Sequence, residues 1–322
     1  MNIFLSRKSA FKNNNYTARA FRYALAMNAY SSSRVFELLP IAASINPVKG
    51  SLLDMMCGSG FVSQYLGGAF SSVDAVDQTM NFYVGNKNSH CLHQCDVGDA
   101  NIVSNTPKKY DHIISLAGFH HLLPCDLSNE KSDDSISSHR IQCLARWSNL
   151  LSRDGRLIIA DVPSAGQPLR CFPHSVASSF PLVENSLQDI GCVDESDIVR
   201  ADPNPALFFK QFVDKKSITP HISCFETELS LSLLLESSGY KNIQAATYLT
   251  PWIFDNTSQA IWFLHHIFGI GVKTFKTPEE IPSSFMNDVL TAVNEYLGCG
   301  HTKTGKFWIG WKLFYLSGDK PS

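Results

Sequence analysis

The stretch LLDMMCGSGFVSQYL, residues 52–66, decides how the rest of the chain is interpreted. Two leucines lead into Asp54, a turn containing Gly58 and Gly60 follows, and Phe61 begins a run that can form a helix. Small residues between a strand and a helix allow backbone N–H groups and the helix N-terminus to approach a ligand closely. The stretch therefore predicts a strand, a ligand-binding loop and a helix.

Short apolar segments recur after this loop, in the pattern of strands that alternate with helices. They are SLLDMM (51–56), SSVDAVD (71–77), CLHQCD (91–96), YDHIISLA (110–117) and GRLIIADV (155–162). Helix-compatible stretches, such as RIQCLARWSNLLSRDG, lie between several of them. This pattern predicts an α/β fold with a doubly wound parallel sheet, in which ligands bind beyond the carboxyl ends of the strands.

Composition and charge narrow the classes of partner. The chain has 322 residues, 44% of them hydrophobic and 17% charged, which is enough to bury a full core. A formal net charge of -2, with no run of Lys or Arg longer than two, gives no basic surface for nucleic acid or an anionic membrane. We therefore expect a small-molecule substrate, no nucleic acid partner and no membrane partner.

The cellular compartment is inferred from the terminal segment and the cysteines. The N-terminal apolar run is too short for a signal peptide, and nowhere do about 18 consecutive apolar residues suggest a membrane span. Nine cysteines, an odd number without any C-x-x-C pair, predict reduced thiols and neither a disulfide framework nor a zinc knuckle. These features indicate a cytoplasmic protein.

A dinucleotide is disfavoured as the ligand of the glycine loop. The dinucleotide fingerprint requires G-x-G-x-x-G, and Ser63 stands where the third glycine would be. Two glycines alone are a weak signal, so the neighbouring motifs have to identify the ligand.

Five motifs occur in order: LLDMMCGSG, VDAVDQ, HQCDVGDA, YDHIISLAGFHHL and LLSRDGRLIIADV. They place an acid at the ends of the first three strands and a histidine turn after the fourth. The set resembles the class I S-adenosylmethionine (SAM) dependent methyltransferases over residues 47–163 and 226–250. The resemblance implies a Rossmann-like seven-stranded sheet with an N-terminal helical cap and two mainly helical insertions that form a lid.

The same resemblance implies a division of the chain. We expect the cap at residues 1–46, the SAM-binding core at 47–163, a lid insertion at 164–225, a core helix and strand at 226–254, a helical insertion at 255–304, and a final strand and tail at 305–322.

The resemblance also implies which residues contact SAM. Asp77 would accept hydrogen bonds from both ribose hydroxyls, because two carboxylate oxygens match two neighbouring donors. Asp96 would accept from the adenine amino group with Val97 packed on the ring, although Asp99 remains an alternative to Asp96. The full expected set is Tyr16, Asp54, Met55, Cys57, Gly58, Ser59, Gly60, Asp77, Gln78, Asp96, Val97 and Ala117.

Met56 departs from the family pattern, which has glycine at this position. The apolar side chain of Met56 is expected to point away from the ligand and into the packing of the sheet or a helix. On this interpretation the loop still binds SAM.

Three residues after the fourth and fifth strands are candidates for catalysis. His120 and His121 could orient a nucleophile or remove its proton, and Asp161 could bind a substrate amine or accept a proton. For each, a purely structural role in bracing or capping a turn is the alternative. Aromatic side chains that could face the sulfonium, or belong to the core instead, are Tyr16, Phe21, Tyr23, Phe119 and Trp252.

Two histidine motifs are interpreted as packing, so no metal site is predicted. Cys91, His93 and Cys95 share one face of the third strand, but that strand is expected to be buried and no fourth ligand is evident. His265 and His266 lie in an apolar stretch and are expected to line a pocket or pack in the core.

The motifs predict a SAM-dependent methyltransferase that acts on a small molecule, with a role in specialised metabolism and S-adenosylhomocysteine as the product. An alternative keeps the cofactor and attacks the aminopropyl carbon, by cyclisation or group transfer, which would release methylthioadenosine. The sequence leaves this choice open, and it leaves the oligomeric state open as well.

Overall fold

The computed structural model describes residues 7–45, 50–79, 83–84, 91–94, 97, 108–123, 133–164, 193, 195–218 and 224–321. For residues 7–18, 133 and 195 it describes the backbone alone. The predicted Tyr16 contact and the choice between Asp96 and Asp99 therefore lie outside the described side chains.

A seven-stranded sheet forms the centre of the molecule, in the order β3-β2-β1-β4-β5-β10-β6. The first five strands run parallel, and β10 runs antiparallel to both of its neighbours. The predicted doubly wound α/β sheet is thus confirmed. Its strands are β1 (Ser51–Met55), β2 (Ser72–Asp77), β3 (Cys91–Gln94), β4 (Tyr110–Leu116), β5 (Leu151–Asp161), β6 (Lys241–Leu249) and β10 (Lys312–Asp319).

Helices cover both faces of this sheet, because its central strands are apolar on both sides. On one face lie α1 (Arg7–Tyr30), a 3-10 helix (Ser31–Leu38), α2 (Leu39–Ser44) and α3 (Phe61–Leu66). On the other face α4 (Asp133–Ser148) and α8 (Glu228–Ser237) pack together around Trp147 and Leu235, which are fully buried. A capping box from Thr227 and Ser230 begins α8.

The described parts of the two insertions are mainly helical, as expected. The first contains α5 (Glu195–Ala201), α6 (Pro205–Phe208), a π-helical turn (Phe209–Val213) and α7 (Asp214–Lys216). The second contains α9 (Thr257–Ile267), a 3-10 turn (Pro278–Glu280) and α10 (Ser283–Tyr296). The long helix α1 packs along α9.

The C-terminal segment GKFWIGWKLFYLSG forms two strands instead of the single strand predicted. β9 (Phe307–Ile309) joins a small antiparallel sheet with β7 (Trp252–Phe254) and β8 (Cys299–His301), whereas β10 enters the central sheet. The chain changes sheets at Gly310, where a β-carbon would lie 2.2 Å from the carbonyl oxygen of Leu297. Only glycine allows the two backbones to approach so closely.

The expectation that the third strand is buried is wrong. β3 lies at the edge of the sheet with only β2 beside it, and Cys91 at its start is exposed. Edge position follows from the strand order, since the chain reverses its direction of travel across the sheet between β3 and β4.

Within the described residues, no helix has the length and apolarity that a membrane span requires.

Candidate active site

The loop after β1 is held in a conformation that side chains rarely adopt. Met56, Gly58 and Gly60 have φ angles of 59°, 51° and 77°. The amide of Gly60 donates to the carbonyl of Cys57 over 2.7 Å, which closes the turn before α3. The loop thus turns sharply at the carboxyl end of β1.

Asp54, on β1, is hydrogen-bonded to the first turn of α3. Its side chain is 1% exposed, and one carboxylate oxygen accepts from the Ser63 amide at 3.0 Å and from the Ser63 hydroxyl at 2.6 Å. Burial raises the pKa of Asp54 to about 7, although the hydrogen bonds from Ser63 act in the opposite direction. Asp54 therefore holds the glycine loop from behind.

Asp77, at the end of β2, meets the same loop from the other side. One of its oxygens accepts from the Gly58 amide and the other from the Thr79 amide, each over 2.9 Å. Burial raises the pKa of Asp77, and the backbone hydrogen bonds counteract this rise. A carboxylate has about four acceptor sites, so Asp77 can also accept a hydrogen bond from a ligand.

Gly60 and Ser59 form a surface that a side chain would obstruct. A β-carbon on Gly60 would lie 2.3 Å from the ring of Tyr83, so close approach as well as the positive φ requires glycine there. The Ser59 hydroxyl is buried and has no hydrogen-bond partner among the described residues. An unsatisfied buried hydroxyl is costly, which favours a ligand that supplies its partner.

Met56 joins the glycine loop to the turn after β4. Its side chain packs against the core on the α4 face, and a β-carbon on Gly118 would lie only 2.8 Å from the Met56 β-carbon. The expected inward packing of Met56 is confirmed. The bare Gly118 backbone makes room for the methionine that replaces a glycine.

His120 and Asp161 are paired at the ends of β4 and β5. The His120 Nδ1 atom lies 2.6 Å from one Asp161 oxygen, and the other oxygen accepts from the His120 amide at 2.8 Å. The Val162 amide donates to the carboxylate as well, at 2.7 Å. When Asp161 is ionised it favours the tautomer with the proton on Nδ1, which makes Nε2 the acceptor nitrogen.

The turn that carries this pair is fixed from two sides. Ala117 has a φ of 53°, and its amide donates to the Ala160 carbonyl on β5. Arg140, which is fully buried, donates to the carbonyls of Leu122 and Cys224 and forms an ion pair with Glu226. A strained backbone held this firmly is typical of functional sites.

Aromatic side chains lie next to the pair. The His121 and Phe225 rings have their centroids 4.0 Å and 5.0 Å from that of His120. Beyond Phe225 the rings continue through Phe209 to Trp311. His120 therefore borders an aromatic wall built largely by the insertions.

A buried ion pair that the sequence analysis missed lies between the cap and the core. Arg34 and Glu37 are in contact at 2.6 Å, and the Trp252 indole donates to Glu37 at 2.7 Å. Burial raises the pKa of Glu37, Arg34 partly reverses this, and the charge of Asp161 adds a further rise. Two opposite charges three residues apart in the otherwise apolar run RVFELLPIAA were the available signal.

Some of the expected cofactor residues have surroundings that limit what they can contact. The Met55 side chain is fully buried in the core, so its backbone alone could meet a ligand. Cys57 packs against Ala75, and burial raises the pKa of its thiol. Gln78 is exposed, whereas Val97 is buried and its carbonyl accepts from the Trp147 indole.

The aromatic candidates separate into two groups. Phe119 is 1% exposed and packs on Trp147 in the core, and Phe21 is 70% exposed, so neither expectation of a place at the pocket mouth is supported. Tyr23 lies beside the glycine loop, with its hydroxyl 3.7 Å from where a Gly58 β-carbon would be. Trp252 lies under the Arg34 guanidinium, 5.1 Å from ring centre to carbon.

Comparison with known proteins adds distant structural likenesses. No protein-family model and no curated protein sequence matches the chain. The YcgJ protein of Bacillus subtilis is 10% identical with a TM-score of 0.46, over 89% of this chain and 98% of that one. A SAM-dependent methyltransferase of Thermotoga maritima is 10% identical with a TM-score of 0.43, over 95% and 96% of the two chains.

A third likeness is to the phosphoethanolamine N-methyltransferase 2 of Haemonchus contortus, solved with S-adenosylhomocysteine. It is 12% identical with a TM-score of 0.45, over 88% of this chain and 52% of that one. The chain's own strand order, five parallel strands followed by one antiparallel strand between β5 and β6, gives it a Rossmann-like α/β fold.

The raised pKa of Asp54 predicts a specific pH dependence of stability. The folded state keeps the Asp54 proton up to about pH 7, whereas the unfolded chain releases it near pH 4. The free energy of unfolding should therefore fall as pH rises between these values, by up to about 1.4 kcal/mol per pH unit from this group. Urea unfolding of the wild-type protein and of Asp54→Asn, carried out from pH 4.5 to 8, measures this pH dependence.

The difference between the two proteins isolates the Asp54 contribution, because the asparagine cannot titrate. Asp154→Asn changes an exposed aspartate and should keep the wild-type slope. If the difference in free energy of unfolding between the wild type and Asp54→Asn stays constant across this pH range, the raised pKa of Asp54 is contradicted.

Proposed function

We propose that the protein is a SAM-dependent methyltransferase that acts on a small molecule. The observation that carries the proposal is the position of the His120–Asp161 pair, at the carboxyl ends of β4 and β5, in the fold whose glycine loop follows β1. Ligands of doubly wound sheets bind at this edge. A cofactor on the loop and an acceptor beside His120 would thus be neighbours.

The residues of the loop fit SAM. Asp77 is proposed to accept from the ribose hydroxyls, and Ser59 has a buried hydroxyl without a partner among the described residues. Gly58 and Gly60 adopt the positive φ angles of the turn, and Gly60 leaves room for the Tyr83 ring. Asp54 and Met56 would act behind the loop, one through Ser63 and the other through Gly118.

Charge favours a cationic cofactor. Asp54, Asp77 and Asp161 lie on this edge of the sheet, and Glu37 is close enough to Asp161 for their charges to interact. Arg34 is the cation that pairs with Glu37. Asp77 and Asp161 would stabilise a sulfonium, whose positive charge needs compensation in a buried site, whereas Asp54 keeps its proton up to about pH 7.

His120 is proposed as the base that accepts the proton of the acceptor. SAM supplies an electrophilic methyl group, so the protein has to position the acceptor in line and take up its proton. Asp161 holds Nδ1 and orients the imidazole, so that Nε2 is the nitrogen that accepts. Asp161 accepts three hydrogen bonds, which makes direct binding of a substrate amine a secondary role.

The acceptor is proposed to be small and at least partly apolar. Phe225 packs beside the His120 ring and continues into the buried rings of Phe209 and Trp311, and such surroundings favour an apolar or aromatic acceptor. The net charge of -2 argues against a nucleic acid acceptor. A role in biosynthesis is consistent with such an acceptor.

The test of this function is the identity of the nucleoside product. The protein is incubated with SAM alone, then with SAM and a small-molecule extract, and the product is identified by mass. We expect S-adenosylhomocysteine to form in an extract-dependent way. Methylthioadenosine formed instead would replace methyl transfer by aminopropyl chemistry, and absence of both products would reject the enzyme assignment.

Asp77 and Met56 should differ in their importance for SAM binding. Asp77→Ala removes two hydrogen bonds to a charged acceptor and should weaken SAM binding by at least about tenfold. Met56→Gly relieves a positive φ and loses packing behind the loop, so SAM affinity should stay within a few fold. Titration calorimetry of both variants gives the comparison, and equal losses would contradict the assigned roles.

The histidine pair makes a second kinetic prediction. His120→Ala should lower kcat/KM by roughly 10²–10⁴ and remove the acid limb of its pH profile, because the general base is lost. Asp161→Asn should also lower the rate, since the imidazole loses the partner that sets its tautomer. His121→Ala is the neighbouring control and should cost less.

Steady-state rates across pH, with circular dichroism to verify folding, provide the measurement. An unchanged pH profile in His120→Ala would exclude His120 as the base and leave positioning as the source of catalysis.

A further inference from the structure

The edge of the sheet opposite the terminal strand β6 carries a group of side chains that the proposed function does not use. Asp74 on β2 and Cys91 and His93 on β3 place their oxygen, sulfur and nitrogen atoms within 4.8 Å of one another. It is the one such group of three among the described residues. The parallel register pairs Asp74 with Cys91, so backbone hydrogen bonding fixes the arrangement.

We propose that Asp74, Cys91 and His93 form a zinc site that fastens the edge strand β3 to β2. Thiolate, imidazole and carboxylate are the three ligand types that Zn²⁺ uses in proteins. Bonds of about 2.0–2.3 Å to zinc put neighbouring ligand atoms about 3.3–3.8 Å apart, so the group has to contract by about 1 Å. Water would complete the tetrahedron.

The His93 ring supports this assignment. Its Nε2 atom is buried, has no hydrogen-bond partner among the described residues, and lies 4.0 Å from an Asp74 oxygen. A buried ring nitrogen without a partner is costly, and a metal ion between it and the carboxylate would satisfy both groups. Cys91 is exposed, which gives an ion access to the site.

Lys108 places a positive charge next to the Asp74 carboxylate. Its Nζ atom lies 3.0 Å from Asp74, whose carboxylate also accepts from the Tyr110 hydroxyl. The Lys108 side chain is 35% exposed, so it can move into solvent when a cation binds. Lys108 therefore competes with the metal for Asp74 and balances its charge when no metal is bound.

The proposed zinc site is separate from the proposed catalytic centre. Asp74 lies three residues before Asp77 on β2, so the alternation of side chains along a strand puts the two on opposite faces of the sheet. An unpaired edge strand is prone to open or to pair with other chains. A metal clip would hold β3, which leads toward the expected adenine contacts, in register with β2.

The test measures metal binding directly, without any assay of activity. Chelator-treated protein is titrated with Zn²⁺ against a chromophoric chelator, and with Co²⁺ to observe the thiolate-to-cobalt absorption. We expect one equivalent to bind with a thiolate band and to raise the thermal unfolding temperature. Cys91→Ser should abolish the thiolate-to-cobalt band. Both Cys91→Ser and His93→Ala should weaken Zn²⁺ binding by about 10- to 100-fold.

Two further variants sharpen the result. Cys299→Ser is the matched control, because Cys299 and His301 repeat the C-x-H spacing on β8 without belonging to such a group. It should bind Zn²⁺ as the wild type does. Lys108→Ala should strengthen Zn²⁺ binding by about tenfold, since the substitution removes the cation that competes for Asp74.

The outcomes that overturn the proposal are equally direct. Equal Zn²⁺ affinity of the wild type and Cys91→Ser, or a Co²⁺ complex without a thiolate band, would remove Cys91 from the site. Unchanged or weaker binding in Lys108→Ala would remove Asp74. Cys91→Ser changes an exposed side chain, so loss of folding should not obscure the result, and circular dichroism verifies this.

Discussion

Carboxylates buried at one edge of the sheet must each be satisfied, and the architecture of the site follows from this constraint. A carboxyl group removed from water is costly unless hydrogen-bond partners surround it. Asp54 is satisfied by Ser63, Asp77 by the Gly58 and Thr79 amides, and Asp161 by His120 and Val162. Each set of donors comes from a loop or helix start that is thereby fixed in place.

The same hydrogen bonds connect the elements of the site to one another. Asp77 on β2 reaches the loop after β1, and Asp161 on β5 reaches the turn after β4. Met56 and Gly118 bring the loop after β1 and the turn after β4 into contact. The arrangement of the candidate residues therefore rests on backbone geometry as much as on side-chain identity.

The cap and the insertions contribute surroundings for the paired groups. Tyr23 brings α1 to the glycine loop, and Arg34 with Glu37 connects the 3-10 helix to Trp252 on β7. Both groups are half-buried or buried where the cap meets the core. The result is a site bounded by carboxylates at the sheet edge and by aromatic rings on the insertion side.

Local patterns were sufficient for the sheet. Short segments of six to eight residues, separated by helix-compatible stretches, predicted the parallel strands, and Asp54, Asp77, His120 and Asp161 near their ends could be named as candidate site residues. This succeeds because strands of a doubly wound sheet end at a common edge, so sequence position alone places their last residues together. Residues 95–96 and 98–107, which hold the expected adenine contact Asp96 and its alternative Asp99, lie outside the described structure.

Local periodicity and chain order are enough to identify the fold class, the glycine loop and the four candidate residues at the strand ends. The pairing of groups depends on the folded chain: His120 with Asp161, Glu37 with Trp252, and Asp74 with Cys91 and His93. Such pairs join residues through strand register and helix packing across separate elements. The split of the last segment at Gly310 and the edge position of β3 were decided in the same way, by contacts that no local pattern contains.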